Sequence, residues 1–94
     1  MTYLLVNHKV EDYDKWKHAY DEYGAMRKVK GSKGAFVFRT NEDPNHVFVL
    51  TEWENMEKAK NFAEDKDLQI AMKKGGVVGQ IESFILEEIE RTGY

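Results

Sequence analysis

Three side chains in this sequence have the polarity for acid–base or anion-stabilising chemistry. Asn7 could stabilise an enolate or a bound oxygen species, or it could bond only to backbone or water. His8 could serve as a general base, or it could form with Glu52 a buried polar pair that fixes the register of a dimer. Arg39 could bind an acidic or phenolate group, or form ion pairs with nearby surface carboxylates. These three residues and Trp53, which is discussed next, are the candidate catalytic residues.

Large apolar side chains could form the walls of a pocket around these groups. Trp53 ends an apolar run and could line a pocket or pack in the core. Trp16 stands at helical spacing from Tyr20, which favours core packing over a pocket wall. The candidate substrate-binding residues are Trp16, Thr51, Phe62 and Met72.

Metal and thiol chemistry have no basis in the sequence. The chain contains no cysteine, which excludes disulfides, a thiolate nucleophile and cysteine-ligated zinc or iron–sulfur sites. Its three histidines do not occur at metal-ligand spacing, so no metal site is predicted. Gly75 and Gly76 follow a predicted helix and do not precede one, so they do not form a phosphate-binding loop.

Hydrophobic periodicity predicts the elements that would position these residues. Alternating or continuous apolar runs predict strands at 3–10, 34–40, 46–54 and 80–88. Helical spacing begins at Tyr13 and ends near Gly31, with Gly24 marking a close backbone approach or a local break. A second helical region starts after Asn55, breaks at 65–67 and stops at Gly75.

The predicted order is β-α-β-β-α-β, in one domain that covers residues 1–94. Two right-handed βαβ units joined by a hairpin give an α+β, ferredoxin-like plait. Its four-stranded antiparallel sheet would have the order 4-1-3-2, with the helices on one face. The tail after residue 88 is expected to be loose or docked on a partner.

Both faces of the predicted sheet are largely apolar, which indicates a homodimer with a shared, barrel-like core. One parity, assigned to the dimer face, comprises Val6, His8, Phe36, Phe38, Phe48, Leu50, Phe84 and Leu86. The other, assigned to the space under the helices, comprises Leu5, Asn7, Val37, Arg39, Val49, Thr51, Trp53, Ile81, Ser83 and Ile85.

Composition indicates a cytoplasmic globular protein. Apolar residues make up 41% and charged residues 33% of the chain, and the net charge is −3. This mildly acidic balance gives no electrostatic reason to expect nucleic acid or an anionic membrane as partner. No signal peptide and no apolar run of spanning length are present.

Residues 7–17, 38–45, 50–54 and 67–77 together resemble the small dimeric α/β-barrel proteins related to the antibiotic biosynthesis monooxygenases. The resemblance implies the same fold and a homodimer. That superfamily includes cofactor-free oxygenases of aromatic substrates and haem-degrading enzymes. Asn7 and Trp53 match an Asn and a Trp that both groups use, but the haem-binding histidine of the last helix has no counterpart in residues 66–78. We therefore expect no cofactor.

The resemblance implies a cofactor-independent monooxygenase or a cyclase-type enzyme acting on a small aromatic or polyketide-like substrate. Two alternatives remain open from the residues themselves. The protein could bind a small hydrophobic ligand without changing it, or it could be a structural dimer with no cavity.

Overall fold

The protein is built on a four-stranded antiparallel sheet, and a computed structural model describes all residues, 1–94. The elements are β1 (Thr2–Val10), α1 (Tyr13–Glu22), α2 (Gly24–Val29), β2 (Ser32–Arg39), β3 (His46–Trp53), α3 (Met56–Ala63), α4 (Lys66–Lys74) and β4 (Val77–Glu87). This is the predicted β-α-β-β-α-β order, with each helical region divided in two. The strand β4 begins three residues before the predicted position, and no helix is both long and apolar enough to cross a membrane.

The sheet order is β2-β3-β1-β4, which is the predicted order 4-1-3-2 read from the other edge. Strand β1 lies in the centre and pairs with β3 on one side and β4 on the other, so Leu4 stands opposite both Thr51 and Ile85. The pairing of β1 with β4 is irregular between Asn7 and Lys9. The ferredoxin-like fold predicted from the sequence is confirmed.

Local signals at the helix ends explain where the helices start and stop. The Asn55 side chain accepts the Lys58 backbone N–H at the start of α3, as predicted, and Asp65 caps α4 at the predicted break. The first helical region breaks at Tyr23, directly before Gly24. Helix α4 ends at Gly75, and Gly76 has a φ of 87°, which a residue with a Cβ adopts only with strain.

The core lies between the sheet and the helices in two clusters. One cluster consists of Leu4, Trp53, Ala59 and Phe62, and the other of Val10, Trp16, Val47 and Val49. Trp53 is completely buried, its Nε1–H donates to Thr51 Oγ1 at 2.7 Å, and its ring centroid lies 4.8 Å from that of Phe62. Trp53 therefore anchors α3 to the sheet as a core residue.

The predicted face assignment was correct for β2, β3 and β4 and wrong for β1. Val6 pairs with Val49 and His8 with Val47, which places both side chains under the helices, whereas Asn7 pairs with Phe48 on the opposite face. Strand β1 carries apolar residues at both parities, so alternation alone does not orient it. Its orientation is set by register with β3, which is a non-local property.

We call the uncovered side of the sheet the outer face. Its side chains include Phe36, Phe38, Phe84 and Leu86, which are 41–52% exposed. Residues 88–94 form no helix or strand and continue from the edge of the sheet as an exposed tail. The single chain therefore leaves a broad apolar surface open to solvent.

Candidate functional site

A partly open pocket, here called the central pocket, lies between the sheet and the helices. Its volume is about 70 Å³, and its 14 lining residues come from β1, β3, all four helices and the break at Tyr23. The walls are apolar or aromatic except at His8, Arg27 and Thr51. A polar minority in an apolar pocket is the usual composition of a small-molecule site.

A second, wider depression runs beside the central pocket between α4 and β4. This β4 groove has a volume of about 430 Å³. It shares Val6, Leu68 and Met72 with the central pocket, so these three side chains form a common wall. Met72 belongs to this common wall and has an unbranched, flexible side chain.

His8 brings an unpartnered imidazole to the central pocket. The residue is only 3% exposed, and its ring packs edge-to-face on Trp16 with centroids 5.7 Å apart. Its Nδ1 is buried and has no hydrogen-bond partner. Burial lowers the pKa of His8 below its ordinary value of 6.5; the residue's own backbone opposes this shift, and the charge of His46 adds to it. The ring is therefore neutral at pH 7, and one ring nitrogen is available to accept a proton.

Tyr23 contributes a second unpartnered polar atom. The helix break places its ring beside Phe62, with centroids 6.4 Å apart, and its hydroxyl is buried without a hydrogen-bond partner. Burial is the main cause that raises the pKa of Tyr23, so the hydroxyl keeps its proton and remains a donor. Leaving two such atoms unpaired costs about 1–3 kcal/mol each, which a ligand or a bound water would recover.

Arg27 is the third polar group and stands four residues after Tyr23. Its guanidinium lies 3.7 Å from the centroid of the Tyr20 ring, and its Nη1–H donates to the Tyr20 backbone oxygen at 2.9 Å. Burial lowers the pKa of Arg27. Because the ordinary pKa of a guanidinium is far above 7, the group still stays charged at neutral pH. The pocket thus combines an acceptor, a neutral donor and a cation within apolar walls, which suits a ligand that loses a proton.

The structure brings the predicted substrate-binding residues together. Trp16, Thr51, Phe62 and Met72 all line the central pocket. Of the predicted catalytic residues, only His8 does, and it does so from the face opposite to the predicted one. Glu52 lies on the outer face opposite Tyr3, so the predicted pair between His8 and Glu52 is wrong.

The other three catalytic candidates lie outside the pocket lining. Asn7 is on the outer face, where its Nδ2 donates to Glu82 Oε1 at 2.9 Å and its Oδ1 accepts from His46 Nε2 at 2.6 Å. Arg39 stacks over the Tyr13 ring at 4.2 Å and forms none of the predicted ion pairs. Trp53 contacts the lining residues but is itself part of the core.

Tyr23 and Arg27 are pocket residues that the sequence prediction missed. In the sequence, Tyr23 stands at helical spacing from Trp16 and Tyr20, which is typical of packing, and Arg27 lies near a helix end, where a cation suits the helix dipole. The available signal was the glycine that follows Tyr23, together with the four-residue spacing that places Tyr23 and Arg27 on one helical face. A local break at Gly24 was one of the two predicted alternatives, but spacing alone does not show that the residues on either side of it line a pocket.

Comparison with solved structures finds the same fold in several proteins. A candidate antibiotic biosynthesis monooxygenase from Bordetella bronchiseptica has a TM-score of 0.80 and 13% identity, covering 95% of this chain and 97% of that one. SnoaB, a cofactor-independent oxygenase from Streptomyces nogalater, has a TM-score of 0.71 and 8% identity, covering 93% of each chain. A candidate from Deinococcus radiodurans has a TM-score of 0.70 and 15% identity, covering 100% and 98%.

At these identities the structural likeness shows the fold alone, and a comparison with curated proteins finds no match. The sequence itself matches the family model described as antibiotic biosynthesis monooxygenase over residues 6–74. That segment contains the pocket residues His8, Trp16, Tyr23, Arg27 and Phe62. The chain therefore belongs to the antibiotic biosynthesis monooxygenase family.

Proposed function

We propose that the protein is a cofactor-independent oxygenase of a small phenolic or enolisable aromatic compound that binds in the central pocket. The observation that carries the proposal is the unpartnered Nδ1 of His8, a buried neutral imidazole in an otherwise apolar pocket. Family membership supports the reaction class, and the structural relative SnoaB is itself described as a cofactor-independent oxygenase. The monooxygenase expectation from the sequence is retained, and of the two adjacent catalytic candidates on β1, Asn7 and His8, the proposal keeps only His8.

In this proposal, His8 removes a proton from the substrate and leaves an electron-rich anion that can reduce oxygen. With an anthrone, the overall reaction converts the CH₂ group between the two aromatic rings and O₂ into a C=O group and water. One oxygen atom enters the product and the other leaves as water. All four electrons come from the substrate carbon, so the balance requires no added reductant. Tyr23 donates a hydrogen bond to the oxygen on which negative charge develops.

The apolar walls have a separate role in the proposal. Trp16 and Phe62 hold the planar substrate and exclude water, which strengthens the polar contacts inside the pocket. The present volume of about 70 Å³ is smaller than the ~150 Å³ cavity that accepts a benzene-sized ligand. Binding of an aromatic ring therefore requires movement of the wall at Leu68 and Met72 toward the β4 groove.

Oxygen uptake by the purified protein with a panel of one- to three-ring phenols and anthrones tests this proposal. We expect the substitution His8→Phe to lower turnover by ~10²–10⁴-fold, the usual contribution of a general base. The matched control is His18→Phe, because the His18 side chain is 80% exposed on α1. Full activity in His8→Phe would contradict the assignment of the base.

The small pocket volume favours a second candidate, a module that binds a small hydrophobic ligand without changing it. Native mass spectrometry of the purified protein separates the two functions. A ligand recovered unchanged after incubation in air, with no oxygen consumed, would support binding alone. A protein that takes up none of the aromatic compounds would support the purely structural alternative.

We also propose that two chains associate through their outer faces. Four exposed apolar side chains, Phe36, Phe38, Phe84 and Leu86, provide the surface, and the rings of Phe36 and Phe38 lie nearly parallel with centroids 6.4 Å apart. Because the helices occupy the other face, association through this one leaves each central pocket intact. An isologous pair would bury both apolar surfaces at once.

A further inference from the structure

Arg27 is a half-buried cation in the lining of the central pocket, and it has no acidic partner. None of the six ion pairs in the structure includes it. Its single hydrogen bond goes to the backbone oxygen of Tyr20, and Asp21 on the preceding turn is paired with Lys17 at 2.6 Å. A planar guanidinium with four further N–H groups thus borders the central pocket.

The neighbours of Arg27 offset only part of the free-energy cost of burying its charge. The Tyr20 ring provides a cation–π contact, which stabilises the charge but leaves its hydrogen-bond donors unused. A partly buried charge is normally paired with an opposite charge. No acidic residue lines the central pocket, and Asp21, whose charge acts on Arg27, is itself paired with Lys17.

We propose that the ligand of the central pocket is an aromatic anion, a carboxylate or an ionised phenol, and that Arg27 is its counter-ion. The inference rests on the proposed function only in that the central pocket is the binding site; it does not require oxygen chemistry. Arg27 binds the anionic group through its unused N–H donors. The ring of the ligand packs against Trp16 and Phe62. The neutral donor of Tyr23 and the acceptor of His8 bond to further polar atoms of the ligand.

This arrangement would make Arg27 the residue that determines specificity. A guanidinium binds a planar carboxylate with two parallel hydrogen bonds, a geometry that a lysine cannot reproduce. An amide of the same shape has no negative charge, and its N–H donors would face the guanidinium of Arg27, which has no acceptor. The pocket should therefore distinguish an acid from its amide, although the two differ little in size.

The test uses benzoate and benzamide as matched one-ring probes, titrated into the protein and followed by NMR shifts of the backbone amides. We expect benzoate to bind at least 10-fold more tightly than benzamide. Arg27→Met should remove this preference, and Arg27→Lys should retain part of it. The control is Arg39→Met, because Arg39 also stacks on a tyrosine ring but does not line the pocket.

The outcomes separate this inference from the oxygenase proposal. Equal binding of the two probes, binding of neither, or an unchanged preference in Arg27→Met would each overturn the inference. Thermal unfolding of both methionine variants checks that any lost preference is not a folding defect, and Arg27→Lys supplies a second comparison. A protein that prefers benzoate but consumes no oxygen with any phenol would contradict the proposed function and leave the anion site standing.

Discussion

His8 and Asn7 are adjacent on β1, yet their side chains lie on opposite faces of the sheet and differ in whether their polar atoms are hydrogen-bonded. The imidazole of His8 is buried against Trp16 with an unused nitrogen, whereas the carboxamide of Asn7 has both of its groups paired on the outer face. Unpaired buried groups are the ones that a ligand can satisfy. His8 therefore has the stronger physical basis for a role in binding.

The burial of His8 also predicts how stability depends on pH. Burial lowers the pKa of His8 in the folded protein, so below pH 6.5 the unfolded chain binds a proton that the folded chain does not. This residue therefore favours unfolding as the pH falls below 6.5, by at most about 1.4 kcal/mol per pH unit. Above pH 6.5 its effect on stability is constant.

Urea unfolding at pH 7.5, 6.5 and 5.5 measures this effect. We expect His8→Phe to lose less stability on acidification than the parent protein, whereas His18→Phe should follow the parent, since His18 is exposed. Parallel pH profiles for the parent and His8→Phe would show that the burial of His8 does not contribute.

At the residue scale, the sequence correctly predicted the pocket residues whose burial depends on their size and apolarity. Trp16, Phe62 and Met72 are large apolar residues on helical spacing, and such residues point to the interior wherever the helix packs. The positions of Asn7 and His8 depend instead on which way a two-sided strand is turned. That choice is made by β3 and the helices together, so local pattern could not determine it.

At the element scale, the break between α1 and α2 determines the chemistry of the central pocket. The break lies at Tyr23, and Tyr23 and Arg27 line the pocket together with residues of α3 and α4. An ion pair between Lys30 and Asp65 joins the end of α2 to the start of α4 and holds this arrangement. The elements themselves follow from local capping residues, which is why their existence was predictable and their packing was not.

Two glycines provide a matched comparison of backbone requirements. At Gly76 the positive φ makes an alanine strained, so we expect Gly76→Ala to lower the free energy of unfolding by ~1–3 kcal/mol. At Gly24 the backbone is helical, and an added Cβ would meet Arg27 Nη2 at an ordinary 3.4 Å. There Gly24→Ala should be neutral or stabilise by up to ~1 kcal/mol.

Chemical denaturation of both variants under identical conditions gives the two values. A loss of stability in Gly24→Ala equal to that in Gly76→Ala would mean that the break needs glycine for a reason other than φ.

At the scale of the whole molecule, the outer face is a broad apolar surface that a single chain leaves exposed to solvent. Introducing a charge there should separate the proposed dimer, because two copies would meet across a two-fold axis and each would bury its new carboxylate. We expect Phe38→Asp to weaken dimerisation at least 100-fold, measured by sedimentation velocity over micromolar concentrations.

The matched control for that experiment is Ile70→Asp. Ile70 is 55% exposed, as Phe38 is 52% exposed, but it lies on α4 away from the outer face. The control should therefore sediment as the parent does. A parent protein that is monomeric at micromolar concentration would contradict the dimer directly.

The central position of β1 has a consequence for how chain length can vary. The strand is hydrogen-bonded on both sides and sends alternate side chains into the two layers of the molecule. One inserted or deleted residue within Thr2–Val10 would exchange the imidazole with the carboxamide and so move the base out of the pocket. An insertion after Glu87 would leave this register unchanged. A sequence alignment of relatives should therefore contain no gap inside β1, because such a gap would misalign the position of His8.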